Sequence, residues 1–194
     1  MKKKAELKMP AVPELEMELK REKHRRRYYR VMRSTIFTLL VAAAAAILAA
    51  TLWLPVLRIY GSSMTPTITD GEIVLSVKSS DMEPGDIIAF YYNNKILVKR
   101  VICGAGDWIN IDDDGAVYVN GELLDEPYLK EQALGDCDIR LPYQVPEGRL
   151  FVMGDHRSTS VDSRNTAVGC VAQEQIVGKI SFRLWPLNRL GKIR

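Results

Sequence analysis

The sequence predicts a mostly β protein, an antiparallel β sandwich or barrel over residues 58–194, behind one N-terminal transmembrane helix at 34–57. Three observations predict it. Ser34 to Leu57 holds no charged residue and is bounded by Arg33 and Arg58. From Glu72 onward, short runs rich in β-branched and aromatic residues are cut by Gly, Pro, Asn and Asp, which is the pattern of many short strands. Charge is also divided along the chain. Residues 1–33 carry twelve Lys/Arg and five Glu, a net of +7, whereas the remainder carries fifteen Lys/Arg and nineteen Asp/Glu, a net of −4. Two such segments belong in different surroundings.

Residues 1–33 read as a basic arm, with Glu14 to Leu19 a helix candidate and Lys23 to Arg33 suited to anionic headgroups. The next stretch meets the requirement of about 20 apolar residues for one crossing. It centres on Leu39-Leu40-Val41, an Ala run and Ile47-Leu48, with Trp53 and Pro55 near its end. A secretory signal has an apolar region of about 7–15 residues, so this longer segment behind a long charged leader reads as an anchor. The basic arm before it places the N-terminus in the cytoplasm and residues 58–194 outside.

The strands follow in order. Glu72 to Val77 and Asp86 to Tyr92 are the first two. Asn93-Asn94 turns the chain, and Lys95 to Cys103 returns. Trp108 to Ile111 and Ala116 to Val119 flank a hairpin turn at Asp112 to Gly115. Arg149 to Met153 and Gln175 to Trp185 complete the set, and the turn-rich part of about 104–148, densest from Gly121 to Gly148, reads as a small insertion.

Several chemistries are excluded. Cys103, Cys137 and Cys170 have no C-x-x-C spacing and no neighbouring His, so neither a zinc site nor a thioredoxin-like motif is indicated. Asn110, Asp112, Asp114 and Gly115 imitate the start of a calcium loop, but its twelfth position is Gly121 instead of Glu. Gly104-Ala105-Gly106 lacks the third glycine of a dinucleotide site. No metal, cofactor or nucleic-acid partner is therefore expected.

The chemistry-bearing residues cluster in three blocks. Ser62 and Ser63 precede Met64-Thr65-Pro66-Thr67. Lys99 lies in Leu97-Val98-Lys99-Arg100-Val101, and the third block is Gly154-Asp155-His156-Arg157-Ser158-Thr159-Ser160-Val161-Asp162-Ser163-Arg164. A serine hydroxyl needs a base before it can attack a carbonyl. The chain's two histidines are His24, on the cytoplasmic side by the topology above, and His156. Lysine can serve if burial depresses its pKa. Strand alternation puts Lys99 on the face of Leu97 and Val101, with Val98 and Arg100 opposite. If that face is the core, Lys99 is desolvated; the alternative is a surface lysine on an edge strand.

These blocks resemble those of bacterial type I signal peptidases, the membrane serine proteases that remove signal peptides from exported preproteins. Ser63-Met64-Thr65-Pro66-Thr67 is similar to the S-M-x-P-T box. Lys99-Arg100-Val101 with Gly106-Asp107 resembles the lysine box, and Gly154 to Arg164 the box G-D-N-R-x-x-S-x-D-S-R. The resemblance spans about residues 34–190. It implies Ser63 as nucleophile, Lys99 as general base and Ser160 as the hydroxyl orienting the amine. It implies ion pairs Asp162–Arg164 and Arg100–Asp155, and pocket residues Ile59, Val98 and Met64. The oxyanion would use the Ser63 N–H. Some relatives add a hydroxyl two residues earlier, where this chain has Gly61, and His156 stands at a usual Asn. Implied partners are preproteins with small residues before the cut, and the lipid bilayer, near which Trp185 is a docking candidate.

Three rival readings remain at this stage: a self-cleaving repressor-type Ser-Lys protease, a Ser-His hydrolase using His156, and a non-catalytic membrane-anchored binding module. The topology has its own test. Protease added to spheroplasts is expected to digest residues 58–194; a domain protected until lysis would refute the orientation.

Overall fold

The computed structural model describes residues 11–53, 55–79 and 81–193. The first ten residues of the expected basic arm and Leu54 of the expected span lie outside the described residues. The chain divides into two units, one ending at Ala49 and the other running from Ala50.

Helix α1 runs Val12–Trp53, and the first unit holds it as far as Ala49. Its charged half is rich in Glu, Lys, Arg and Leu, which are strong helix formers. The Glu14 carboxylate accepts the Ala11 N–H, covering one of the open donors at the helix start. Arg26 pairs with Glu22 one turn earlier. Ile36, Phe37, Leu39, Leu40, Val41, Ile47 and Leu48 are all exposed. A helix this apolar on its exposed surface, and long enough to cross a bilayer, meets the requirements of a membrane anchor. The span was expected to reach Leu57. Instead the helix ends at Trp53 and residues 56–58 form a strand, because Pro55 has no N–H to continue the helical ladder.

Among the described residues of the second unit, twelve strands form two antiparallel sheets. The strands are β1 (Val56–Arg58), β2 (Ile73–Val77), β3 (Ile87–Tyr92), β4 (Lys95–Cys103), β5 (Trp108–Ile111) and β6 (Val117–Val119). They continue as β7 (Glu122–Leu123), β8 (Tyr143–Gln144), β9 (Arg149–Met153), β10 (Val171–Ala172), β11 (Ile176–Trp185) and β12 (Gly191–Lys192). The larger sheet runs β1-β2-β11-β3-β4-β9-β10, with β12 on β11; the smaller runs β7-β6-β5-β8.

The expected antiparallel β architecture is present. Strands 95–103, 108–111 and 149–153 have the expected bounds, and four others begin one residue later. The strands that sequence reading missed, β1, β7, β8, β10 and β12, have two or three residues each. Segments that short show no readable alternation, and only their ladder partners define them.

Three apolar clusters fill the domain. One, containing Ile102, Ile109, Phe151 and Met153, joins the small sheet to β4 and β9. The other two involve opposite faces of the large sheet: Ile87, Ala89 and Ile180 in one, Ile88, Phe90 and Val101 in the other. Cys103 and Cys170 are buried in the first cluster, and all three cysteines are free thiols. Trp185 is half exposed, as are the neighbouring Leu187 and Leu190.

One buried charge ties the sheet to the segment after β1. Glu72 is 2 % exposed and accepts from Arg183 Nε at 2.6 Å and Arg189 Nη1 at 2.7 Å. Arg183 also donates to the Thr67 carbonyl. Removing the acid would strand a largely buried guanidinium. Glu72→Ala is expected to lower unfolding stability by about 3 kcal/mol, with Glu72→Gln losing less. Chemical denaturation measures it, and a loss near zero would mean the cluster contributes nothing.

Candidate active site

The site forms where three stretches of backbone meet. Ser63 lies in the turn after β1, and Lys99 lies on β4. The third stretch leaves β9, whose Met153 is paired with Arg100, so Gly154 and its successors start beside the lysine. The backbone joins them directly: the His156 N–H donates to the Ser63 carbonyl at 3.0 Å. Gly154 permits the approach. A Cβ there would fall 2.5 Å from the Ser63 carbonyl oxygen and 2.6 Å from Ser160 Cβ, closer than any side chain tolerates.

Lys99 Nζ lies 2.7 Å from Ser63 Oγ. Register explains the burial of the amine. Lys99 pairs with Ile88 and Leu97 with Phe90, both members of one apolar cluster that also contains Val101. Lys99 is 3 % exposed, so the surface-lysine alternative is removed. Burial lowers its pKa from 10.5 to about 8; Asp162 and Asp155 pull it up and Arg164 pushes it down. At neutral pH a useful fraction of the amine is neutral and can accept the Ser63 proton.

Two buried ion pairs flank the amine. Arg100 grips Asp155 with two hydrogen bonds, 2.9 and 2.7 Å, and donates a third to the Gly85 carbonyl. Arg164 grips Asp162 likewise, at 2.9 Å twice. Asp162 also accepts the Gly154 N–H. Burial alone would raise the Asp162 carboxyl, but the Arg164 hydrogen bonds and charge, with the Gly154 amide, hold it below its ordinary value. Thr67 Oγ1 donates to Asp155 at 2.5 Å, linking the serine turn to the first pair.

Ser160 is buried beside Gly154. Its hydroxyl makes no hydrogen bond to the lysine amine here and instead helps hold the Asp162 carboxyl down. Ser62 is exposed and contacts Thr65 through its carbonyl, which leaves Ser63 as the serine facing the amine. The His156 ring lies 3.1 Å from Thr65 Oγ1 and is not hydrogen-bonded to Ser63. Ile59 and Met64 are buried and Val98 partly so; all three line a cleft of about 640 Å³ that contains Ser63 and Lys99. Among the described residues no cluster could hold a metal ion.

Sequence reading did not foresee how the insertion is used. Arg157 is buried in a bidentate pair with Glu126, and Tyr128 donates to the same carboxylate. The Tyr128 ring covers the Arg100 guanidinium at 3.9 Å. Arg164 donates to the carbonyls of Ala133 and Leu134. Only the two arginines of the third block hinted that buried acceptors would be needed.

A serine hydroxyl facing a buried lysine amine on a β scaffold is the arrangement of serine–lysine hydrolases. Comparison with known proteins gives the family. The family model for signal peptidase, peptidase S26, matches residues 32–185, and the chain belongs to that family. It is 39 % identical over 150 residues to signal peptidase IB of Staphylococcus aureus, covering 67 % of this chain and 77 % of the relative. Signal peptidase I of Bacillus licheniformis is 36 % identical over 148 residues, covering 68 % and 77 %. A crystal structure of a signal peptidase I from Enterococcus faecalis aligns with TM-score 0.43 and 31 % identity, over 52 % of this chain and 97 % of that one.

The buried amine carries a stability consequence. Below about pH 8 the folded chain holds an ammonium that burial disfavours, a cost of about 3 kcal/mol at 1.36 kcal/mol per pH unit between 8 and 10.5. Between those values the unfolded chain binds more protons, so stability rises with pH. Lys99→Met should therefore be more stable than wild type at pH 7, with the gain shrinking above pH 8 and gone near 10.5. Denaturation at the two pH values reads it; a gain that does not depend on pH would contradict the assignment.

Proposed function

We propose that this chain is a membrane-anchored serine endopeptidase that removes signal peptides from exported preproteins, with Ser63 as nucleophile and Lys99 as base. The observation that carries this reading is the 2.7 Å approach of a buried, pKa-depressed amine to Ser63 Oγ. The family supports the substrate class.

In the proposed mechanism, Lys99 takes the hydroxyl proton as Ser63 Oγ attacks the scissile carbonyl. The ammonium then protonates the leaving amine, and water, activated by the neutral amine, hydrolyses the acyl-enzyme. The Ser63 N–H, without a partner among the described residues, is the proposed oxyanion donor. The Gly61 N–H is already held by Asp70 at 2.7 Å, so a second donor must come from elsewhere. Asp162–Arg164 and Arg100–Asp155 are proposed to fix the electrostatics around Lys99, and Ser160 to meet the amine during turnover.

Substrate is proposed to bind as an extended strand. β4 pairs with β3 throughout Lys95–Arg100, but with β9 only from Arg100 onward. The other edge of Lys95–Val98 borders the cleft and can accept a peptide backbone. Ile59, Met64 and Val98 narrow the cleft and suit small residues before the cut. For the lipid partner, the exposed Trp185, Leu187 and Leu190 are the proposed seat on the bilayer. The basic arm is proposed to lie on the cytoplasmic side, with 34–57 as the anchor and 58–194 outside. The mechanism calls on no cofactor.

Preprotein cleavage with the cut site mapped is the direct test. Ser63→Ala and Lys99→Ala should each abolish it while the fold persists, and His156→Asn should change little. Activity should rise with pH through a midpoint near 8, as Lys99 loses its proton. Full activity in Lys99→Ala with none in His156→Ala would replace this mechanism by a Ser-His one.

A further inference from the structure

The segment Leu124–Asp138 lies outside the cleft yet reaches both ion pairs that flank the lysine. Its backbone is held close at two points where only glycine fits. A Cβ on Gly115 would fall 2.5 Å from the Ala133 nitrogen, and one on Gly135 2.7 Å from Arg164 Nη1. Both glycines also have positive φ, +87° and +64°. The segment is thus pressed between the β5–β6 hairpin and the third block. At its far end Asp138 accepts the Thr166 N–H and hydroxyl.

From this geometry we infer that Tyr128 is a positioning residue for the proposed Ser63–Lys99 chemistry: its ring seals the Arg100–Asp155 pair and so sets the charge felt by the lysine amine. The inference rests on that mechanistic reading. The ring sits 3.9 Å from the Arg100 guanidinium, the distance of a close cation–π contact. Arg100 has a 3 % exposed side chain and is the bidentate partner of Asp155. Tyr128 is itself anchored, because its hydroxyl donates to Glu126, which is locked to Arg157.

The charged groups acting on Lys99 are Asp155, Asp162 and Arg164, all from the segment after β9; the serine turn presents Ser63. Asp155 favours the ammonium, and Arg100 holds that carboxylate in a bidentate pair. Without the ring, water reaches the guanidinium and the pair loosens. Asp155 then acts on Lys99 with less compensation, and the amine holds its proton to higher pH.

The test is the pH dependence of preprotein cleavage by the full chain in detergent. Tyr128→Leu should move the midpoint of the profile upward by about 0.5 to 1 pH unit, lowering activity at pH 7 about three- to tenfold. The alkaline plateau and KM should stay within about twofold. Tyr128→Phe keeps the ring over Arg100 and should restore the wild-type midpoint. Glu126→Gln, which loosens the anchor and keeps its shape, should shift the midpoint in the same direction, and it serves if Tyr128→Leu fails to fold. NMR titration of the Lys99 amine in the same proteins gives the midpoint without any cleavage. Failure of the wild type to cut preproteins would therefore sink the proposed function separately. A reduced plateau with an unmoved midpoint in either variant would overturn the inference, leaving Tyr128 a packing residue. A rise confined to KM would overturn it too.

Discussion

Taking an amine out of water disfavours its charge, and the β domain is organised around one amine treated in this way. Lys99 sits on a strand face shared with Leu97 and Val101, against Ile88 and Phe90. That burial supplies the neutral base, and it also threatens stability. The ion pairs on either side answer the second problem without cancelling the first. Asp155 and Asp162 are each committed to an arginine, so neither is free to lock the lysine as an ammonium. Had either acid faced Lys99 directly, the amine would have stayed charged and unable to take a proton.

Close backbone approach is the second constraint, and glycine meets it. Gly154 lets the third block touch the Ser63 carbonyl, while Gly115 and Gly135 let the insertion reach Arg164. Each contact links segments far apart in sequence, and they converge on one small volume. The result is a site whose hydrogen bonds cross between loops yet whose loops have little room to shift. Arg157, Arg164 and Arg100 act as internal staples, each satisfied by carboxylates or carbonyls, which buried guanidinium groups require.

The remaining features fit the proposed location. A cleft bordered by one open strand edge suits an extended peptide, and an apolar helix ahead of the domain suits a protein that meets tethered substrates. Half-exposed Trp185 with Leu187 and Leu190 is an unusual surface in water and a reasonable one beside lipid.

By itself the sequence determined the apolar span, the longer strands and the three blocks, since each is a local pattern of period, charge or spacing. Strand alternation alone put Lys99 on the face of Leu97 and Val101. Only the tertiary structure decided whether that face was buried and what the insertion did. Block spacing favoured Ser63 over its neighbour Ser62, and the turn after β1 points the Ser63 hydroxyl at Lys99. Glu126 and Tyr128 carry no local signal, because their importance comes from arginines about thirty residues away in either direction. Short strands such as β1 and β10 were equally silent, because a two- or three-residue strand exists by virtue of its partner in the ladder. Local patterns are written in consecutive residues; burial, pKa and long-range pairing are properties of neighbours that the fold alone supplies.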